Sequence, residues 1–104
     1  MEFKANVGIK KLSTQILLAL IVAEKIYDKF GTTMTITSCN DSQHKVGSKH
    51  YDGNAVDLRT KTVGLAPQLV QAIKDKLKPL GFDVLLEGYK TPNEHCHIEY
   101  DPRS

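Results

Sequence analysis

The sequence has few cysteines and no strong excess of either charge. Its 104 residues include only two cysteines, Cys39 and Cys96, which can form at most one disulfide bond. This scarcity excludes a small scaffold held together by disulfides, so we expect two free thiols in a reducing compartment. The formal net charge of +2 is too weak to indicate nucleic-acid binding, and we expect no nucleic-acid partner.

The sequence also lacks a hydrophobic run long enough to cross a membrane, which takes about 20 apolar residues. The run ILLALIVA, Ile16 to Ala23, follows two lysines as the core of a signal peptide would. No cleavage site of the A-x-A kind follows it, and its apolar spacing continues on a helical period. We therefore expect a core helix, no membrane insertion, and a protein that is cytoplasmic as synthesised.

Repeats, linkers and low-complexity tracts are absent, so we expect residues 1–104 to form a single monomeric domain. Apolar residues at steps of three and four predict a first helix that Ser13 or a neighbouring serine or threonine caps and that Gly31 ends; its inner face is Leu12, Ile16, Leu20, Ala23, Tyr27 and Phe30. A second helix is predicted from Leu65 to Leu80, with an inner face of Leu69, Ala72 or Ile73, Leu77 and Leu80.

Four segments alternate apolar and polar residues or are rich in strand-forming residues: 32–38, 54–60, 82–87 and 95–100. A long polar loop, residues 40–53, separates the first two, and loops of that length in compact domains are usually functional. The order of these elements predicts an α+β fold in which a small antiparallel sheet packs against two main helices.

Two of the predicted strands have one apolar and one polar face. In NAVDLR, Val56 and Leu58 point away from Asp57, and in HCHIEY, Cys96 and Ile98 point away from His97. If the two strands share a sheet with the same side open, Asp57 and His97 converge. His50, from the preceding loop, would complete a set of two imidazoles and a carboxylate. That set suits one zinc ion per chain and leaves a fourth position for water.

Simpler explanations exist for each of these residues. A lone His-x-His in a strand is more often a surface or hydrogen-bonded pair than a metal site. Asp57 could pair with Arg59 or Lys61, and His44 suits a solvated loop position. The combination of two motifs in this order is harder to attribute to chance.

The pattern S-x-H-x-x-G-x-A-x-D-L, Ser48 to Leu58, together with the later His-x-His, resembles a known family. This is the zinc D-alanyl-D-alanine carboxypeptidase and L-alanyl-D-glutamate endopeptidase family of bacteria and phages, whose fold the Hedgehog signalling domain shares. The resemblance covers nearly the whole chain. It implies a Hedgehog-like fold and an enzyme that cuts the stem peptides of peptidoglycan.

Carried over residue by residue, the resemblance implies that His50, Asp57 and His97 are the zinc ligands. It also implies that His95 lines the site and stabilises the developing oxyanion. The general base would be Glu94, which has E-x-x-H spacing to His97, or Glu87, where Hedgehog-like members have theirs; Glu94 is favoured. Family peptidases often have an arginine in the segment after the first long strand. Here that segment, CNDSQHKVG, has none, and Gln43, His44 or Lys45 would have to substitute for it.

The sequence therefore predicts a zinc metallopeptidase, similar to an endolysin, that acts on the cell wall after release from the cytoplasm. The alternative is a zinc-binding module without catalysis, which the Hedgehog resemblance permits. Two glutamates near the predicted metal favour the enzyme, because hydrolysis needs a base beside the attacking water.

Overall fold

The computed structural model of the protein describes residues 1–4, 12–38, 54–61 and 63–102. Over this part of the chain the fold is α+β, as predicted, with two α-helices and one five-stranded sheet. The strands are β1 (Glu2–Phe3), β2 (Thr35–Ser38), β3 (Ala55–Arg59), β4 (Phe82–Glu87) and β5 (His95–Tyr100). The helices are α1 (Thr14–Lys29) and α2 (Ala66–Leu77), and a short 3₁₀ helix, Lys78–Leu80, follows α2.

The first helix forms as its sequence predicts. The Oγ atom of Ser13 accepts a hydrogen bond from the Ile16 backbone N–H at 3.1 Å, which satisfies a donor that the first turn leaves free. Gly31, just beyond the helix, has a φ of +76°, a conformation that a residue without Cβ adopts easily. The predicted inner face is buried or partly buried along its whole length. Among the described residues no helix is both long and apolar enough to cross a membrane.

The second helix is shorter than predicted. It ends at Leu77 and tightens into the 3₁₀ helix, because Pro79 has no backbone N–H to donate to a further α-helical turn. Three residues per turn then replace 3.6, and Leu80, predicted on the inner face, is 53% exposed. Leu69 and Ile73 are fully buried, as predicted.

The sheet has the strand order β1-β2-β3-β5-β4. The four predicted strands pair antiparallel, but β1 adds a parallel pair at one edge, so the sheet is mixed rather than wholly antiparallel. The sequence did not predict β1, because two residues are too few to show an alternating pattern.

Among the described residues, the helices cover one face of the sheet and no element covers the other, which we call the open face. The apolar residues of β3 and β5 on the covered face are fully buried: Val56, Leu58, Cys96 and Ile98. Cys96 is a free thiol in the core, as predicted, whereas Cys39 lies outside the described residues. Alternation along each strand therefore puts Asp57 and His97 on the uncovered face.

Candidate metal centre

The register of three strands collects the polar side chains on the open face. Asp57 of β3 lies opposite His97 of β5, and Arg59 lies opposite His95. On the other side of β5, Glu87 of β4 also lies opposite His95. Each cross-strand pair brings its Cβ atoms to within about 5.5 Å, so the side chains of the three strands touch.

Asp57 and His97 form the most buried pair of this group. The Nδ1 atom of His97 lies 2.7 Å from Oδ1 of Asp57, and its Nε2 lies 2.9 Å from Oε1 of Glu99. Burial alone would lower the pKa of His97, but the hydrogen bonds to Asp57 and Glu99, reinforced by the charges of Asp57 and Glu87, raise it to about 9. Without a metal, the ring is therefore an imidazolium that donates to two carboxylates.

His95 lies near Asp57 on the open face, although its cross-strand partner is Arg59, two residues further along β3. Its Nδ1 lies 2.6 Å from the backbone oxygen of Asn93, which can only accept, so Nδ1 carries the proton. Its Nε2 lies 2.9 Å from Oε1 of Glu87 and 3.8 Å from Oδ1 of Asp57. In the neutral ring, Nε2 and these two carboxylates are three acceptors that face one another. These three atoms are therefore candidate ligands for a metal ion.

Asp57, Glu87 and His95 could hold a metal ion. One ligand atom from each lies within 4.8 Å of the others. A second carbonyl or carboxylate partner commonly orients a metal-binding imidazole, and Asn93 does this for His95. A mixed nitrogen and oxygen donor set fits a divalent transition-metal ion such as zinc.

The structure brings together two of the three predicted zinc ligands. Asp57 and His97 are in contact, as their strand phases predict, and His50 lies outside the described residues. His95 and Glu87, predicted for oxyanion binding and as the alternative base, join Asp57 in the group described above. Asp57 is thus shared between two possible ligand sets.

Glu94, the favoured base in the sequence, has both carboxylate oxygens in hydrogen bonds. Its Oε1 accepts from the hydroxyl of Thr60 at 2.7 Å, and its Oε2 accepts from the backbone N–H of Lys90 at 2.9 Å. Thr60 is fully buried. Glu94 therefore connects the loop between β4 and β5 to the end of β3. Sequence patterns could not predict this contact, because Thr60 and Glu94 are far apart along the chain.

A second acidic group, Asp83, Glu99 and Asp101, also escaped the sequence analysis. Single carboxylate oxygens of the three lie within 4.8 Å of one another. Its signal was available in the alternation of β4 and β5, which puts Asp83 opposite Glu99 on the open face. An all-carboxylate set suits a hard cation rather than zinc.

A cavity of about 410 Å³ opens beside the candidate centre. Its lining includes His95 and Glu94 together with three cationic residues, Lys4, Arg59 and Lys61. Arg59 lies opposite His95 in the sheet register, so the cavity and the metal group share a wall.

Comparisons with protein-family models, with curated proteins and with solved structures found no match for this chain.

Proposed function

We propose that this protein is a zinc-dependent peptidase that hydrolyses the stem peptides of peptidoglycan, as a carboxypeptidase or an endopeptidase. The observation that carries the proposal is the contact between Asp57 and His97 on the open face of the sheet. These residues belong to the two motifs on which the resemblance to cell-wall peptidases rests. A cavity of about 410 Å³ is lined in part by His95, whose Nε2 lies 3.8 Å from Oδ1 of Asp57.

Zinc is the metal that the donors favour. Asp57 is within reach of two imidazoles and a second carboxylate, and such sets bind zinc while leaving a position for water. When bound, zinc supplies a Lewis acid that polarises a carbonyl group and lowers the pKa of water to about 7.

The ligand set that we propose is Asp57 and His97, with His50 as the third ligand that the resemblance implies. The rival set is Asp57, Glu87 and His95. It would use Glu87 and His95 as metal ligands, although these are the two side chains best placed to act as base and as oxyanion partner. With that set, the remaining glutamate is Glu94, whose two oxygens already accept hydrogen bonds. The first set leaves a base and an oxyanion partner free, which a peptidase requires.

Glu87 is the general base in this proposal, in place of Glu94. Its carboxylate lies in the same group as Asp57 and His95, and its side chain is 47% exposed and so open to water and substrate. Glu87 takes the proton of the attacking water and passes it to the leaving amine. His95, whose Nδ1 donates to the Asn93 carbonyl, stabilises the developing oxyanion in the ring form that carries a proton on both nitrogens, so that Nε2 is also a donor.

Digestion of purified peptidoglycan, followed by mass spectrometry of the released fragments, tests the proposal. The wild type should release peptide fragments in the presence of zinc, and Asp57→Asn should release none. Asp83→Asn is the matched control, because Asp83 is also an aspartate of the open face but belongs to the second acidic group. If the wild type retains zinc and releases nothing from several peptidoglycan types, the zinc module without catalysis becomes the better account.

A further inference from the structure

The cavity beside the candidate centre is lined by an excess of positive charge. Lys4 follows β1, Arg59 ends β3 and Lys61 comes two residues later, so three cationic residues line one space of about 410 Å³. Within the part of the chain that the structure describes, these three side chains have no ion pair with an acidic residue. Cations gathered at one concave surface without partners are a binding site for an anion.

The only carboxylate among the cavity's described lining residues is already committed. Glu94 accepts hydrogen bonds from Thr60 and from the Lys90 backbone N–H, and no salt bridge joins it to Arg59 or Lys61. A ligand carboxylate that enters the cavity therefore meets three cationic residues and a single protein carboxylate, that of Glu94, which is hydrogen-bonded to the loop. Arg59 can bind such a carboxylate through two parallel hydrogen bonds, while the lysines add unspecific positive charge.

The location of the cavity limits where that anion lies in a substrate. Arg59 faces His95 across the β3–β5 ladder, and neighbouring strands are about 4.8 Å apart. His95 in turn lies beside Asp57 and Glu87. A carboxylate held by Arg59 is therefore about one amino-acid residue from the group that would act on the peptide bond.

We propose that Lys4, Arg59 and Lys61 bind a free α-carboxylate of the residue on the amine side of the cleaved bond. The identity of the peptide rests on the proposed function, whereas the anion site rests on the cavity alone. Two kinds of peptide have such a carboxylate. In the first, the cleaved bond joins the last two residues, and the carboxylate is the C-terminus. In the second, the residue on the amine side is a D-glutamate linked onward through its γ-carboxyl group, so its α-carboxylate is free. In both peptides, Arg59 is the side chain that can bind the carboxylate through two parallel hydrogen bonds.

Binding of small probes to the metal-free protein tests the anion site without any requirement for catalysis. The probes are N-acetyl-D-alanine and a γ-linked D-glutamyl dipeptide, each compared with its α-carboxamide by NMR titration. We expect the wild type to bind at least one carboxylate probe about tenfold or more tightly than its amide. The double variant Arg59→Gln/Lys61→Gln should lose that preference, and the exposed-lysine control Lys76→Gln should retain it. Which probe binds distinguishes the terminal from the internal carboxylate.

Equal affinity for carboxylate and amide, or an unchanged preference in the double variant, overturns the anion site. Circular dichroism and thermal unfolding show whether the double variant folds, and the single variant Arg59→Lys, which keeps the charge, should retain part of the preference. Rates on peptides with free and amidated α-carboxylates separate the two proposals. Fast cleavage of both forms would reject the anion site and leave the peptidase intact. Carboxylate-selective binding without cleavage would support the anion site and reject the peptidase.

Discussion

The hydroxyl of Thr60, buried at the end of β3, donates a 2.7 Å hydrogen bond to the carboxylate of Glu94, just before β5. Because the acceptor is charged and the donor is shielded from water, this is one of the stronger hydrogen bonds in the described structure. Together with the bond from the Lys90 backbone N–H, it holds the loop between β4 and β5 against the neighbouring strand. That loop carries Asn93, whose carbonyl orients His95.

Replacing Thr60 with valine should therefore lower the free energy of unfolding by about 1–3 kcal/mol, because Glu94 loses its buried donor. Valine keeps the shape of threonine, so the loss reports the hydroxyl rather than a cavity. Urea denaturation of the metal-free protein measures it. Thr60→Ser is the control, since it keeps the hydroxyl and should cost less. If Thr60→Val leaves the free energy of unfolding unchanged, the hydrogen bond contributes nothing measurable.

Stability should depend on pH through His97, whose pKa rises from 6.5 to about 9 on folding. The folded state holds this proton more tightly than the unfolded chain does. The resulting stabilisation is therefore fully present below about pH 6.5 and is lost as pH rises through about 9. For a side chain that is 14% exposed, the loss is roughly 3 kcal/mol at most.

Urea denaturation in the presence of a chelator, at intervals from pH 6 to pH 9, measures this dependence. The free energy of unfolding should fall with rising pH in the wild type and should vary much less in His97→Gln. An unchanged pH dependence in His97→Gln would show that another group causes it.

The two ligand sets that share Asp57 make opposite predictions for the histidines. If Asp57 and His97 bind zinc, His97→Asn should lose most bound zinc after dialysis, while His95→Asn should retain it. If Asp57, Glu87 and His95 bind the ion, His95→Asn should lose most bound zinc and His97→Asn should retain it. Asp57→Asn should lose zinc in either case, because its carboxylate belongs to both sets. Elemental analysis of the four proteins, purified without added metal, decides between the sets.

The sequence predicted those features of the fold that depend on local periodicity. The inner face of α1 and the alternation of β3 and β5 follow from neighbouring residues, so Asp57 and His97 could be assigned to one face of the sheet before their strands were known to pair. Cys96 was assigned to the core for the same reason. Leu80 was not assigned correctly, because Pro79 changed the helical period just before it.

Contacts between distant segments could not be predicted in this way. The sequence favoured Glu94 as the base from its spacing to His97, but its hydrogen bond to Thr60 depends on how β3 and β5 pair. Likewise, the contact of His95 with Glu87 needs the β4–β5 register, and the cavity near Lys4 needs the short strand β1. Each of these depends on the pairing of strands rather than on the pattern within one strand.

Cys96 should be unreactive in the folded protein. It is fully buried, and burial, together with the charges of Asp57 and Glu87, raises the pKa of its thiol, so little of the reactive thiolate forms. In a Cys39→Ser background, a thiol reagent should label Cys96 only in denaturant. In the wild type, titration of the unfolded, unreduced protein should find both thiols, Cys39 and Cys96, free. Rapid labelling of the folded form would show that this part of the core opens easily.

The general base gives the sharpest test of the proposed mechanism, because its two candidates differ in their contacts. Glu87 is half exposed beside Asp57 and His95, and Glu94 accepts two hydrogen bonds from the protein. Glu87→Gln should therefore reduce the rate of peptide cleavage about a hundred- to ten-thousand-fold with little change in stability, because only proton transfer is lost.

Glu94→Gln should instead lower the stability and leave the rate of cleavage nearly unchanged. An amide oxygen can still accept from Thr60, but the amide nitrogen cannot accept from the Lys90 N–H, so we expect a loss of about 1 kcal/mol in stability. Cleavage should stay within about tenfold of the wild type, because the base is intact. Zinc content should be unchanged in both variants, provided that neither glutamate is a ligand. If Glu94→Gln retains zinc and stability but loses cleavage, while Glu87→Gln remains active, Glu94 is the base and its contacts with Thr60 and Lys90 position it for that role.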